Sequence, residues 1–462
     1  MFVSKLSLLK IACGKLLAIT LTGAGGLSDA RAADPPAEFW RDPAFVEKFV
    51  GTYGFVTDVE PRVTREEQEL LRELSERIAT DPAGAAEDLR NAIDEDSSAA
   101  LDFVLGNLHF ERDQLGDAER RYNIALEKFP NFMRAHKNLG IVRIRQDDFD
   151  GAARSLTRAI ELGGGDGTAY GLLGLSRLNQ ERYHSAESAY RQALLFDPDN
   201  TQWRLGTARV LLAQERYQEA SALLEELIDE QPANGDYYLY QANAFLGMDE
   251  PRRAALNYEA ARRLDAATAE AMANLADIYV NQQMPDLAAE VWREALAADR
   301  GPPFSRALRG ARALAERRAW NEALALADTI EARYEDDWDE GARLDLLYVR
   351  ARIQLETGET AEAVYALHHI TERRPRDGDA LLLLAGHYAD SGQPERAEIL
   401  FERAARSPGH EAEAYLRHGT FLVREGRLER AAELLRRSQE LRPREAVQRY
   451  LERVEEVLAE RS

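Results

Sequence analysis

Apolar residues recur three and four positions apart along most of the chain, and clusters of Pro, Gly, Asp and Asn interrupt them at short, regular intervals. That spacing predicts amphipathic helices rather than strands, each ended by its breaker residues. Above the helical period lies a longer one. Ala118, Ala152, Ala186, Ala220, Ala254 and Ala288 stand 34 residues apart; after wider steps come Ala323 and Ala363, then Ala397 and Ala431 at 34 again. A bulky apolar residue follows each of the first six by four positions: Tyr122, Leu156, Tyr190, Leu224, Tyr258 and Trp292. Small residues precede them at Gly106, Gly140, Gly174, Ala208, Ala242 and Ala276, while Pro130, Pro198, Pro232, Pro375 and Pro443 close five units. Each unit therefore predicts two helices meeting where a small side chain admits a large one.

A strict period of this length describes stacked hairpins, because one hairpin cannot shield its own apolar face and gains stability from the next. The predicted fold is all-α, an α-solenoid. Six regular units run over 97–299, and Gly301-Pro302-Pro303 then breaks the stack. A second sub-array of about four units follows at 300–443. Residues 64–96 form a degenerate hairpin before the regular part. Residues 444–462 form a capping helix with Val447, Tyr450, Leu451, Val454 and Leu458 on one face. Residues 33–63 hold Phe39, Trp40, Phe45, Phe49, Tyr53 and Phe55; they cover the exposed apolar end of the array, fold back into its groove, or dock a partner.

The pattern resembles the tetratricopeptide repeat (TPR) family over roughly residues 97–443. The resemblance implies a non-enzymatic scaffold that holds a protein or peptide in a concave groove lined by the first helix of each unit. Carried over position by position, it places Phe103, Asn107, Arg134, Lys137, Ile141, Ile144, Leu175, Leu205, Arg209, Leu239, Tyr240, Asn243 and Asp277 inward. Arg134, Lys137 and Arg209 are cations in an acidic chain, which suits a ligand bearing a carboxylate. The family's carboxylate clamp is not met: Lys137 and Arg209 match two of its places, and Ile141, Leu175 and Leu205 break the others. The stretches SSAALDFVLGNLHF, RAHKNLGIV, ELGGGDGTAYGLLG, YYLYQANAFLGMDEPRRAA and FWRDPAFVEKFVGTYGF also look like secreted TPR proteins of marine gammaproteobacteria described as components of TonB energy-transduction systems. That likeness implies inner-membrane partners of the TonB, ExbB and ExbD kind. A role in assembling envelope machinery, for polysaccharide export or outer-membrane protein insertion, is the alternative.

Composition narrows the partners. The net charge is −22, and removing residues 1–32 makes it more negative, since Lys5, Lys10, Lys15 and Arg31 face only Asp29 there. Such a chain repels nucleic acid and anionic lipid. The cations are 53 Arg against 6 Lys, a bias that fits a GC-rich genome or salt adaptation. Residues 1–32 read as a cleavable signal peptide: a Lys-bearing start, the apolar stretch Leu16–Leu27, and Ala30-Arg31-Ala32 as the cleavage site. The expected location is the periplasm, with no membrane span after cleavage. The single cysteine, Cys13, lies inside that segment, so no disulfide or thiolate chemistry is expected beyond it.

No catalytic constellation stands out. The Gly163–Gly167 run, GGGDG, lacks the preceding strand and the Lys-Ser/Thr pair of a phosphate loop and reads as a turn between units. His109, His136, His184, His368, His369, His387, His410 and His418 are scattered without metal-ligand spacing. Catalytic residues, metal and cofactor are all expected to be none.

Overall fold

The computed structural model describes residues 60–335 and 338–461. The signal-peptide reading of 1–32 and nearly all of the aromatic segment 33–63 lie outside the described residues. Within them the chain forms twenty-three α-helices and no strand, an all-α array of helical repeats. By internal contacts it divides into two compact units, one up to Ala266 and one from Ala267.

Unit 1 begins with the pair α1 (Arg65–Thr80) and α2 (Pro82–Ala92), opened by a capping box between Thr64 and Glu67. Five hairpins follow: α3 (Ala99–Glu111) with α4 (Leu115–Lys128), α5 (Met133–Arg145) with α6 (Phe149–Ala159), α7 (Gly167–Asn179) with α8 (Tyr183–Phe196), α9 (Thr201–Ala213) with α10 (Tyr217–Glu230), and α11 (Gly235–Gly247) with α12 (Pro251–Arg263). Helices α5, α7, α9 and α11 each pack on their own second helix and on that of the hairpin before. Unit 2 continues with α13 (Ala269–Asn281) and α14 (Pro285–Ala297), α15 (Phe304–Glu316) and α16 (Trp320–Tyr334), α17 (Glu340–Thr357) and α18 (Thr360–Arg373), α19 (Gly378–Asp390) and α20 (Pro394–Ala404), α21 (Glu411–Arg424) and α22 (Leu428–Leu441). It ends in α23 (Glu445–Arg461). Helix α17 has 18 residues where α9 and α11 have 13, which lengthens the alanine step to Ala363.

The periodic alanines explain the packing. All ten are completely buried, as are Tyr122, Leu156, Leu224 and Trp292 four positions on. A Cβ added at Gly106 would lie 2.6 Å from the Tyr122 ring, one at Gly140 2.7 Å from Leu156, and one at Gly174 2.8 Å from Tyr190. The small residue and the bulky one are therefore two halves of one close crossing. At the far end Val447, Leu451 and Val454 cover Leu428, Ala432 and Leu435, so α23 caps the apolar face of α22.

The turns inside the hairpins share one geometry. Asp113, Asp147, Glu181, Glu215, Asp249 and Gln283 all have φ near +60°, and they too stand 34 residues apart. Backbone bonds such as Gln114 N–H to His109 O (2.9 Å) and Arg182 N–H to Arg177 O (2.9 Å) close each as a Schellman end. Unit 2 begins with Gln283 and Arg318 in this position, and its later hairpins place Gly358, Gly392 and Gly426 there. Between hairpins, polar side chains cap the next first helix: Asp166 accepts from Ala169 N–H at 2.8 Å, and Asn200 from Trp203 N–H at 3.2 Å. Asp166 closes the GGGDG run, which joins α6 to α7 through a short π-turn with Gly163 at φ 93°.

Candidate binding face on the first helices

The first helices bring their inward positions onto one face of each hairpin, but side-chain size decides which of these reach the surface. Phe103 is wholly buried against Tyr122 and Phe132, with ring centroids 5.8 and 4.8 Å away. Ile141, Ile144 and Leu175 are also buried. These four sit in the core rather than on an open surface, because aliphatic and aromatic groups facing a neighbouring helix are drawn into its packing. Asn107 is buried as well. Its Oδ1 accepts from Tyr122 Oη at 2.7 Å and from Asn138 Nδ2 at 2.9 Å, while its own Nδ2 has no partner among the described residues. This amide links two hairpins, a role its sequence position did not reveal.

The remaining positions stay nearer the surface. Leu205, Leu239 and Tyr240 are half-buried, and Asn243 is exposed with Tyr258 Oη donating to its Oδ1 at 2.6 Å. Leu205 and Tyr240 flank the cluster of Ala208, Leu224, Leu227 and Tyr237.

The cations divide by what they pair with. Arg134 holds the Glu60 carboxylate in a two-pronged fork, Nε to Oε1 and Nη2 to Oε2 both at 2.9 Å, with its guanidinium 5.3 Å from the Phe103 ring centroid. Glu60 lies 74 positions earlier, a pairing that no local pattern announces. Lys137 reaches Asp166 at 2.5 Å, the same aspartate that caps α7. Arg209 is different. It lies 5.5 Å from the Tyr240 ring centroid and has no carboxylate partner among the described residues. Burial raises the phenols of Tyr190 and Tyr240, and the Arg209 charge works against that rise in both.

In unit 2, Asp277 sits 2.6 Å from Arg306 Nη1. Burial pushes the Asp277 carboxyl up, and Arg306 opposes that shift. Arg306 also bonds Asn274 at 3.1 Å, approaches Glu270 at 3.4 Å, and lies 5.5 Å from the Trp292 ring centroid.

Among the described residues no group of three or more His, Cys, Asp or Glu is placed to hold a metal ion, and no helix is long and apolar enough to cross a membrane. What the face offers is hydrogen-bond donors, aromatic surface and a cation, Arg209, without a carboxylate partner among the described residues, a set suited to binding.

Comparison with known proteins agrees on the class. A tetratricopeptide-repeat family model matches residues 103–167, 172–235, 239–303 and 387–446, and a second model of the same description matches 354–407. These matches cover more than half of the chain, which belongs to the tetratricopeptide repeat family. Among solved structures, a tetratricopeptide repeat protein from Parabacteroides merdae ATCC 43184 is 20% identical, over 50% of this chain and 93% of its own, with a TM-score of 0.40. YrrB, described as a TPR protein with an unusual peptide-binding site, is 19% identical over 39% of this chain and 93% of its own, at 0.36. The TPR domain of P58(IPK) is 18% identical over 74% and 99%, at 0.25. No curated protein matches the chain in sequence, so the likeness to TonB-system components rests on the quoted motifs alone.

Proposed function

We propose that the protein is an exported, non-enzymatic scaffold of the periplasm that holds a protein or peptide on its first-helix face and serves as an accessory of a TonB-ExbB-ExbD type transport system. The observation that carries the binding role is the clustering of Arg209, Tyr240, Leu205 and Asn243 on the first helices of adjacent hairpins in a strongly acidic chain. A surface of this kind has affinity for an acidic or mixed peptide without any chemistry of its own. Export is supported by the charge, apolar and small-residue pattern of residues 1–32, and the TonB association by the quoted motifs.

Crosslinking in intact cells followed by mass spectrometry tests both parts. Recovery of inner-membrane proteins of the TonB, ExbB and ExbD kind is the expected result. Recovery of polysaccharide-export or outer-membrane-insertion components instead would replace the transport role with an assembly role. Recovery of no protein at all would overturn the scaffold reading itself.

A further inference from the structure

The chain enters unit 1 across its first-helix face. Glu60 stands ahead of α1, yet its side chain is only 9% exposed because Arg134 of α5 holds it in the fork described above. The same guanidinium lies 5.3 Å from the Phe103 ring centroid, so the fork sits over α3 as well as α5. Pro61 is buried, and Val63 packs on the core cluster that includes Leu71 and Leu74 of α1. Glu67, in the first turn of α1, accepts from Ser98 N–H at 2.6 Å, just ahead of α3. Followed backward from Arg65, the chain thus passes α1, α3 and α5 in turn, within the reach of about 17 Å that five extended residues have. It runs along the row of first helices, and α7, α9 and α11 come next in that row.

The sequence ahead of Glu60 suits those helices in reach, charge and surface. Residues 33–59, the 27 positions that follow the proposed signal cleavage, span about 90 Å when extended and about 40 Å even as one helix. Three more hairpins at about 10 Å each need only about 30 Å. The segment carries five carboxylates against Arg41 and Lys48. The face ahead presents Lys137, which is shared with Asp166, and Arg209. Phe45, Phe49 and Tyr53 stand four apart in the segment, and Leu205, Leu239 and Tyr240 offer half-buried apolar surface on α9 and α11.

We propose that residues 33–59 occupy the first-helix face of unit 1 as an intramolecular strap, with the Glu60–Arg134 fork as its clasp, and that a partner binds by displacing them. The proposal rests on the peptide-binding reading above and adds its regulation. A tethered segment competes at about millimolar effective concentration, so a partner in solution displaces it only by binding markedly better. The strap keeps an apolar, cationic face from holding arbitrary peptides, and loosening the clasp opens that face.

The test uses the full chain after signal removal, with p-benzoylphenylalanine at position 49. Irradiation followed by mass spectrometry should join that position to a first helix between α5 and α11 of its own chain. Joins to any other helix, joins between two copies, or no join would overturn the strap. A second arm places a protease site between Val59 and Glu60, so that the chain folds whole before it is cut. Once the freed segment is removed, a labelled peptide of residues 33–59 should bind at least roughly tenfold more tightly than to uncut protein. Glu60→Lys in uncut protein sets two cations together and should recover part of that gain. Equal affinity for cut and uncut protein, or binding to neither, would overturn the competition. Cellular crosslinking of the Glu60→Lys chain separates the strap from the scaffold reading. Self-joins at position 49 with no partner recovered leave the strap and remove the scaffold; recovered partners without self-joins do the reverse.

Discussion

Arg209 in unit 1 and Arg306 in unit 2 are close counterparts. Each rises from a first helix and lies 5.5 Å from an aromatic centroid, yet Arg306 is ringed by Asp277, Glu270 and Asn274 while Arg209 has no acceptor among the described residues. A buried cation with its own carboxylate is part of the protein's stability, and one without it carries an unmatched charge. The ring beneath each arginine is a poor guide to which role it has; the decisive residue is the one at position 277, on the first helix of the hairpin before Arg306.

The same substitution at the two sites should therefore have opposite consequences. Arg306→Met removes the cation and leaves Asp277 buried without it, and should lower stability by about 2–3 kcal/mol in denaturant unfolding. A loss below about 0.5 kcal/mol would mean that the Arg306 cluster contributes no more than an exposed ion pair.

A second contrast runs through the turns. Unit 1 places Glu181 and Glu215 in the left-handed region, whereas the last hairpins of unit 2 place Gly392 and Gly426 there. A side chain in that region carries a steric penalty of about 1 kcal/mol that glycine escapes. Glu181→Gly should raise stability by up to about 1 kcal/mol, and Gly392→Ala should lower it by about the same amount, both read from denaturation midpoints. Opposite signs at the two sites would show that local contacts, not backbone conformation, set the turns.

A smaller effect belongs to His418 in unit 2. It is 3% exposed and stacked on Phe401 at 5.3 Å, and burial lowers its affinity for a proton although Glu398 works the other way. The unfolded imidazole takes its proton near pH 6.5, and the folded one only at lower pH. Stability is thus complete above about pH 6.5 and declines as the pH falls below it. His418→Phe should flatten that decline in melting temperature between pH 7 and pH 5; an unchanged slope would assign the acid sensitivity to other groups. Smallest of all is Arg209→Met, which should leave stability unchanged or raise it by less than about 1 kcal/mol, because it loses the Tyr240 ring contact but no ion pair among the described residues.

How much of this was visible beforehand depends on the distance over which each feature is encoded. The hairpins, the small-against-large crossings and the capping helix follow from spacings within one unit, and Gly106 with Tyr122 or Ala186 with Tyr190 can be read directly from the chain. The groove register was readable only as a list of positions. Phe103, Ile141 and Leu175 obey it and are nonetheless drawn into the core, since a period states the direction of a side chain and not what lies against it.

Sequence alone determined that this protein is a stack of helical hairpins, because the ten periodic alanines, most of them 34 residues apart, are local facts. Tertiary structure decided which cations are satisfied. Glu60 reaches Arg134 across 74 positions and Asp277 reaches Arg306 across a hairpin, while no carboxylate among the described residues reaches Arg209. Charge pairing acts through space and falls off within a few ångströms, so only the folded chain shows which carboxylate comes close enough.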